Sequence, residues 1–292
     1  MKKVLLTGST GFIGSNILPV LRETGNYEVY TPKRHDLNLK DSKCVEDYLL
    51  KNSFDIVLHF ANPNPARNTG DSSTLIGEDS LRIFTNLFSC SNLYGKMIYT
   101  GSGAEFDKSL DIDLVSEEEC QRSIPKDSYG FAKYVMNSLS AKSDNVYNFR
   151  VFGCYGPGDA ATKFITHCIR SILLNKDITI RKDCKFDYLH VLDFARFINW
   201  GINSNLKYHD YNVCSGTPVL LSNIAEIVKL LMNSKVEIRL LSDELNRNYT
   251  ASNKRIIDES GIGLDYPLEE GIQKQIDWET EHFNKDTIFD GE

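Results

Sequence analysis

Short apolar runs alternate with amphipathic stretches through the first half of the chain. A run such as Val4–Leu6 has the length of a buried strand, whereas apolar residues three and four positions apart, as in Leu81, Phe84, Leu87 and Phe88, form one face of a helix. The predicted strands are Lys3–Leu6, Glu28–Thr31, Asp55–Phe60, Lys96–Thr100 and Asn145–Val151. The predicted helices are Gly11–Glu23, Ser42–Lys51, Asp79–Tyr94 and Ser128–Ala141. This alternation predicts an α/β fold with helices on both faces of a parallel sheet.

Past Gly156–Gly158 the spacing of apolar residues becomes less regular. The predicted elements there are a helix Thr162–Leu174, a strand Asp187–Val191 that leads into a helix through Asn199, a strand Tyr211–Val213 and a helix Ser222–Met232. The remainder mixes short elements with polar turns, and the segment after Asn284 is polar. Because no linker separates the two halves, we expect a second, smaller α/β domain interleaved with the first. The expected division is 1–155, joined by about 186–213, for the larger domain, and 156–185 with 214–292 for the smaller.

The net charge of −7 and the scattered cysteines exclude several classes of protein. Nucleic-acid-binding proteins carry a basic stripe, so no nucleic-acid partner is expected. No apolar run has the length of a membrane span, and the N-terminus enters a strand at once, so we expect neither a membrane segment nor a signal peptide. The seven cysteines include no CxxC pair, which favours reduced thiols in the cytoplasm without a disulfide framework or a metal site.

The segment Thr7–Gly14 joins the first predicted strand to the first predicted helix. Gly8 permits a tight turn, Gly11 lets the backbone approach a pyrophosphate, and Gly14 lets the helix pack close to the sheet. The free N–H groups and the positive dipole end of the helix favour phosphate at this point. The segment predicts a Rossmann-type doubly wound sheet whose larger domain binds a dinucleotide, with the smaller domain binding the substrate.

Tyr129 and Lys133 lie four residues apart at the start of a predicted helix, so the phenol and the ammonium share a face. A nearby cation and the positive ring of an oxidised nicotinamide would lower the pKa of the phenol, which could then exchange a proton with an alcohol or a carbonyl. Many amphipathic helices have the same spacing, so the interpretation depends on Ser102. This residue follows the fourth predicted strand at the carboxyl edge where open α/β sheets bind ligands, and Asn62–Pro65 follows the third strand at the same edge.

Taken together, these residues resemble the extended short-chain dehydrogenase/reductase family, in the branch that acts on sugar nucleotides. The segments that carry the resemblance are Thr7–Gly14, His59–Ala61, Ser102, Tyr129 with Lys133, Arg150–Gly158, Asp187–Asp193 and Tyr211–Gly216. The resemblance implies that Tyr129 is the acid/base, that Lys133 modulates its pKa and binds the ribose, and that Ser102 orients the carbonyl. Family members also dimerise through the helix that carries Tyr129, so we expect a homodimer.

The resemblance also implies a set of cofactor contacts. They are Gly8, Thr10, Gly11, Phe12, Ile13, Arg34, Asn38, Leu39, Phe60, Ala61, Tyr129 and Lys133. NAD enzymes place an acid at the end of the second strand, but Glu28–Thr31 is followed by Pro32, Lys33 and Arg34. A basic pair suits the 2′-phosphate of NADP, with Arg34 as its main ligand, so NADP(H) is favoured and NAD(H) stays possible. The stretch Arg34–Ser42 is similar to that of GDP-fucose synthases, which are NADPH-dependent.

Departures from the family pattern narrow the expected activity. Dehydratases of the family carry an Asp-Glu pair after the catalytic hydroxyl, where this chain has Gly103 and Ala104, so dehydration is excluded. GDP-fucose synthases have an epimerising Cys and His where this chain has Ala104 and Lys163, although His167 is close in sequence. These differences leave NADPH-dependent reduction of a keto group, at C4 of a sugar nucleotide, as the expected reaction. The alternatives are an NAD-dependent sugar-nucleotide 4-epimerase and a non-catalytic dinucleotide sensor.

The expected substrate contacts are less regular than those of the cofactor. Relatives place a diphosphate-binding arginine where this chain has Phe186. Arg181 or Lys185 is a possible substitute, with Arg247 as a second phosphate ligand, and Glu105 is interpreted as a solvent-facing loop acid. The expected substrate-binding residues are Ser102, Gly103, Lys163, Lys185 and Arg247.

Overall fold

The computed structural model describes residues 1–63 and 73–283, with the side chains of 73–75 left aside. The strands of this part of the chain are β1 (Lys2–Thr7), β2 (Tyr27–Tyr30), β3 (Phe54–His59), β4 (Tyr94–Ser102), β5 (Ile112–Val115), β6 (Val146–Val151), β7 (Gly153–Tyr155), β8 (Ile178–Ile180), β9 (Lys185–Phe186), β10 (Tyr188–His190), β11 (Asp210–Val213), β12 (Val219–Leu220), β13 (Ile238–Leu240) and β14 (Tyr249–Ala251). The helices are α1 (Phe12–Glu23), α2 (Ser42–Asn52), α3 (Ser73–Phe88), α4 (Ser128–Ser140), α5 (Phe164–Leu173), α6 (Val191–Asn203), α7 (Leu221–Leu231), α8 (Lys254–Ser260) and α9 (Leu268–His282). Asn64 and Pro65 of the predicted loop, and the polar segment from Asn284, lie outside the described residues.

A six-stranded sheet with the order β2-β1-β3-β4-β6-β11 is the centre of the fold. Each neighbouring pair in this sheet is parallel. The chain runs from β1 to β2 on one side and continues from β3 toward β4 on the other, so the order reverses between β1 and β3. The carboxyl ends of these two strands therefore border the crevice where such sheets bind ligands.

Alternating residues of the strands pack in two hydrophobic cores, one on each face of this sheet. Val4 and Leu6 pack in the cluster formed with α1 and α6, whereas Leu5 packs in the cluster formed with α2, α3 and α4. Because successive side chains of a strand point to opposite faces, a fully apolar strand requires helices on both sides. The predicted α/β doubly wound fold is confirmed.

A second, four-stranded sheet has the order β12-β9-β14-β5. Its strand β5 is the next strand after β4 in sequence, and it pairs with β14 far downstream, with Ile112 opposite Tyr249. A separate hydrophobic cluster joins α5, α7 and α9, while Ile256 of α8 packs back into the cluster beneath α1 and α6. The later segments thus contribute to both parts of the fold.

Two predicted elements differ from the observed ones. The helix expected over Asp79–Tyr94 is α3, Ser73–Phe88, and Tyr94 instead begins β4. The apolar residues around Tyr94 resemble a continuing helix face, but its buried hydroxyl donates to the Leu87 carbonyl oxygen at 3.1 Å and so packs the strand against the end of the helix.

No helix within residues 1–63 and 73–283 combines the length and the apolar character that crossing a membrane requires.

The other difference is α9, a 15-residue helix in a region expected to hold only short elements. Two of its buried positions are polar, which hides its helical periodicity in the sequence. Gln275 donates to Thr166 Oγ1 at 2.7 Å, and Glu279 accepts from Arg170 Nε at 2.7 Å, so each of these polar side chains has a partner on α5.

Candidate active site

The turn between β1 and α1 packs closely against its neighbours because its key positions are glycines. Gly8 has a φ of +76°, and a Cβ there would come within 2.5 Å of the Ala61 nitrogen. A Cβ on Gly14 would come within 2.2 Å of the Gly8 carbonyl oxygen, so the helix and the turn are in close contact. Gly11 is the N-cap of α1 and provides no side-chain cap. The first N–H groups of α1 therefore face the crevice without a capping side chain, which fits a pyrophosphate.

The remaining expected cofactor residues surround this turn. Phe60 and Ala61 follow β3, and the Ala61 nitrogen donates to Thr7 Oγ1 at 3.4 Å. Arg34 is exposed after β2 and has no ion-pair partner among the described residues. Asp36 accepts from the Lys33 nitrogen at 3.1 Å and so holds this basic turn in place. The Leu39 carbonyl oxygen accepts from Asn86 Nδ2 at 2.8 Å. Thr10 lies in the turn before α1, Phe12 and Ile13 begin α1, and Asn38 lies between β2 and α2.

Ser102, Tyr129 and Lys133 meet at the carboxyl edge of the large sheet. Ser102 ends β4, and its hydroxyl lies close enough to the Tyr129 phenol, at the start of α4, to lower the pKa of that phenol. The close packing of α4 makes this contact possible, since a Cβ on Gly130 would come within 2.5 Å of the Ala104 carbonyl oxygen. Lys133 Nζ donates to the Thr100 carbonyl oxygen at 2.9 Å and lies 5.8 Å from the centre of the Tyr129 ring. The arrangement places an acid, a hydroxyl donor and a buried cation side by side.

Burial is the main influence on the protonation of these groups. It raises the pKa of Tyr129, Ser102 lowers it, and the charges of Glu105 and Asp127 raise it. Burial lowers the pKa of Lys133 to about 8, against the opposing charge of Glu105. The lowering of the phenol's pKa by Lys133 and an oxidised nicotinamide stays a prediction.

The interpretation of Glu105 as a solvent-facing acid is wrong, because its side chain is fully buried. It accepts from the Ser102 nitrogen at 2.9 Å, from Asn148 Nδ2 at 2.9 Å and from Arg150 Nε at 2.7 Å. A carboxylate tolerates this position because Arg150, also fully buried, supplies the opposite charge. An arginine within the apolar strand β6 was the sequence signal that a buried acid must lie nearby.

Sequence reasoning missed Tyr249, which reaches the site from the second sheet. Its phenol lies close enough to Ser102 for that residue to lower its pKa, and its ring stacks on Phe186 with the ring centres 4.9 Å apart. Phe186 and Tyr249 are register partners on β9 and β14, so the residue that replaces the expected arginine belongs to an aromatic wall beside Ser102. Tyr249 begins a strand of only three residues within a polar region, so the spacing of apolar residues gave little indication of it.

The expected substrate residues are more dispersed. Gly103 lies directly under the Tyr249 phenol, with 2.5 Å between an added Cβ and the Tyr249 oxygen. Lys185 is 51% exposed, and its Nζ lies 3.9 Å from Asp113 Oδ2, on the face of β9 opposite to Phe186. Lys163 is the exposed N-cap of α5, and Arg247 is exposed two residues before β14. Within residues 1–63 and 73–283, no group of three or more His, Cys, Asp or Glu side chains is arranged to hold a metal ion.

Fold and site together define a dinucleotide-binding α/β protein with a Ser-Tyr-Lys constellation beside the ligand crevice. Residues 4–214 match the model of the NAD-dependent epimerase/dehydratase family, and the chain belongs to that family. The resemblance predicted from the sequence is confirmed.

Named relatives and solved structures agree with this assignment. GDP-6-deoxy-D-talose 4-dehydrogenase of Aggregatibacter actinomycetemcomitans is 25% identical, over 81% of this chain and 82% of that protein. The NADP-bound GDP-L-fucose synthetase of Naegleria fowleri has the same fold, with a TM-score of 0.83 at 17% identity, over 96% of this chain and 93% of that one. The UDP-glucose 4-epimerase of Thermotoga maritima has a TM-score of 0.82 at 18% identity, over 97% of this chain and 100% of that one.

Proposed function

We propose that the protein is an NADPH-dependent reductase that converts a keto group at C4 of a sugar nucleotide to an alcohol. The observation that carries the proposal is the meeting of Ser102, at the end of β4, with the Tyr129 phenol, whose pKa it lowers, and with Lys133, whose Nζ lies 5.8 Å from the centre of the Tyr129 ring. A phenol and a hydroxyl that both face the sheet edge can hold and protonate a carbonyl oxygen. Relatives named for sugar-nucleotide redox chemistry support the substrate class.

Each member of the trio has a distinct role in this reaction. The bound dinucleotide supplies the hydride. Ser102 donates a hydrogen bond to the substrate oxygen, and Tyr129 transfers its proton to that oxygen as the carbonyl becomes an alcohol. Lys133 binds the ribose and offsets the negative charge left on Tyr129, which is then reprotonated from water. In total, one ketone, one NADPH and one proton yield one alcohol and one NADP⁺.

The basic turn after β2 supports NADPH as the cofactor. Arg34 is exposed and without an ion-pair partner in the described part of the chain, so its guanidinium is available for a 2′-phosphate. The nearby Asp36 is engaged by the backbone of its own turn and does not replace the ribose-binding acid of NAD enzymes.

We assign the sugar-nucleotide contacts to Ser102, Gly103, Lys163, Lys185 and Arg247. Arg247 is the favoured diphosphate ligand, because Lys185 is turned toward Asp113.

We also assign a homodimer interface to α4, where Phe131 is 47% exposed on the helix that carries Tyr129. Sedimentation of the purified protein tests this assembly.

The test measures cofactor binding and stoichiometry. NADPH is expected to bind at least tenfold more tightly than NADH, and Arg34→Ala is expected to remove this preference while leaving NADH binding unchanged. With a panel of nucleoside-diphosphate 4-keto sugars, each alcohol formed should consume one NADPH, followed by absorbance.

Two other outcomes would contradict the proposal. Tightly held NAD in the purified protein, with interconversion of UDP-sugar epimers and no net NADPH oxidation, would identify a 4-epimerase. Dinucleotide binding without turnover of any sugar nucleotide would instead identify a sensor.

A further inference from the structure

Two hydrogen bonds within one short turn hold Ser102 in place. The Ser102 nitrogen donates to Glu105 Oε1 at 2.9 Å, and the Ser102 hydroxyl oxygen accepts from the Ala104 nitrogen at 3.2 Å. Both bonds belong to the capping box of the turn Gly103–Glu105, which directly follows β4. The position of the Ser102 hydroxyl therefore depends on a carboxylate three residues further along the chain.

The Glu105 carboxylate is itself held by buried donors of β6. Its Oε2 accepts from Arg150 Nε at 2.7 Å, and its two oxygens accept from Asn148 Nδ2 at 3.1 and 2.9 Å. All three side chains are fully buried. A Cβ on Gly101 would clash with both Glu105 and Asn148, so the carboxylate packs directly against the last residues of β4.

Asn148 extends this arrangement to the helix that carries Tyr129. Its Nδ2 also donates to Asn137 Oδ1 at 3.0 Å, so the two amide protons go to Glu105 and to Asn137. Asn137 lies on α4 four residues after Lys133 and eight after Tyr129, on the same face of the helix. One side-chain amide thus joins the carboxylate that holds Ser102 to the helix face that carries Tyr129.

The orientation of the Asn148 amide leaves its oxygen unpaired. Asn148 Oδ1 is buried and has no hydrogen-bond partner in the described part of the chain. The opposite orientation would direct Oδ1 at the Glu105 carboxylate, acceptor against acceptor. A buried acceptor without a donor destabilises a protein, so the fold gives up stability at this point in order to direct both amide protons at the supports of the site.

We propose that Glu105 is a positioning residue, whose carboxylate holds the Ser102 backbone and, through Asn148, fixes the distance from the Ser102 hydroxyl to Tyr129. The inference rests on the proposed function in that Ser102 and Tyr129 hold and protonate the substrate oxygen there. Because Glu105 is fully buried, it acts through these residues and does not contact the substrate.

Glu105→Asp tests this role because it shortens the reach of the carboxylate and keeps its charge. A side chain with one methylene fewer cannot contact Arg150 and the Ser102 nitrogen at once, and the charge-assisted bond to Arg150 is the one expected to remain. Glu105→Gln is a second variant, for the case that Glu105→Asp fails to fold. Its amide has one acceptor oxygen, which Arg150 occupies, so that an NH₂ group faces the Ser102 nitrogen.

Glu117 provides the matched control. It is also buried, its Oε1 accepts from the Asn212 nitrogen at 2.8 Å, and its Oε2 lies 3.6 Å from Arg255 Nε. Glu117→Asp therefore shortens a buried glutamate that binds a backbone N–H and an arginine, but the N–H belongs to Asn212 instead of Ser102.

Amide hydrogen exchange, followed by NMR on ¹⁵N-labelled protein without substrate, measures the hold on Ser102. In Glu105→Asp the Ser102 and Ala104 amides are expected to exchange at least about tenfold faster than in the wild type. In Glu117→Asp they should change less than about twofold, and the Asn212 amide should exchange faster instead.

Turnover of the sugar nucleotide, by reduction or by epimerisation, measures the consequence for the site. Glu105→Asp should lower kcat about tenfold and leave KM within about threefold, because Ser102 is misplaced while the binding surface is kept. In Ser102→Ala protein, adding Glu105→Asp should lower kcat by less than about twofold, since Glu105 acts through Ser102.

Four outcomes would overturn the inference: unchanged exchange at Ser102 in both Glu105 variants, equal acceleration in Glu117→Asp, faster exchange with an unchanged kcat, or a full loss of kcat in the Ser102→Ala background. If the wild type turns over no sugar nucleotide, the proposed reductase function fails. The exchange rates then still support or overturn the hold of Glu105 on Ser102.

Discussion

Burial shifts the pKa values of several side chains near the site away from those of exposed side chains. His59 is 2% exposed, and burial together with the charge of Lys133 lowers its pKa to about 3. Its Nδ1 lies 2.9 Å from Thr7 Oγ1. His59 is therefore a neutral structural residue at the end of β3, and Tyr129 has no competing acid/base from that strand.

Asp159 provides a test of burial at a single residue. It is 6% exposed, and its Oδ1 accepts from the Ala160 nitrogen at 2.8 Å. Burial raises its pKa to about 7, although the hydrogen bond from Ala160 and the charge of Lys163 oppose the rise. In the unfolded chain the same carboxyl titrates near 3.8. Between these two values the folded protein binds more protons than the unfolded one, so this group makes stability fall as the pH rises.

We predict that Asp159→Asn removes this loss of stability. As the pH rises from 5 to 8, the free energy of unfolding of the wild type should fall by about 2 kcal/mol more than that of the variant, because an amide has no proton to lose. Urea denaturation at the two pH values measures the difference. A wild type and a variant whose stabilities change in parallel would show that Asp159 ionises normally in the folded protein.

At the scale of elements, a chain of ion pairs joins the large sheet to α8. Arg150 of β6 contacts Glu105 at 2.7 Å, after β4, and Asp210 at 2.8 Å, on β11. Asp210 also pairs with Arg255 of α8 at 2.6 Å, and Arg255 lies 3.6 Å from Glu117. The chain of ion pairs therefore connects the strand that ends in Ser102 to a helix near the C-terminus.

We predict that Arg150→Met destabilises the protein by about 3–5 kcal/mol, because it leaves the Glu105 carboxylate buried without its cation. Arg239→Met is the matched control. Arg239 also contacts two acids, Asp177 and Glu237, but it is 58% exposed, so its loss should cost less than about 1 kcal/mol. Chemical denaturation compares the two variants, and equal effects would contradict the proposed role of burial.

The elements of the first sheet could be predicted because each depends on its own sequence neighbours. An apolar strand such as β1, its glycine turn and α1 follow one another along the chain, so local spacing is sufficient to identify them. The elements of the second sheet depend on distant partners. The strand β14 has three residues and pairs with β5 and β9, and no local pattern specifies such pairings. For the same reason, Ser102 and Lys133 could be predicted from their positions, but Tyr249 could not.

For the molecule as a whole, the candidate active site lies where the two sheets meet. The large sheet provides Ser102 from β4 and Tyr129 from α4, which packs on it, and the small sheet provides the aromatic wall of Phe186 and Tyr249. The strand β5, which begins ten residues after Ser102 at Ile112, pairs with β14, the strand that carries Tyr249, so the two sheets are connected near the site. The proposed substrate contacts on the small sheet can thus be aligned with Tyr129, the proposed proton donor, beside the large one.

The most direct test of the central claim is NADPH-dependent reduction by Tyr129→Phe, measured alongside NADPH binding by the same protein. Removing one phenolic hydroxyl should lower kcat about 10²- to 10⁴-fold, the range expected for a lost general acid, while the dissociation constant for NADPH stays within about threefold of the wild type. A variant that reduces the substrate as fast as the wild type would contradict the assignment of Tyr129 as the proton donor.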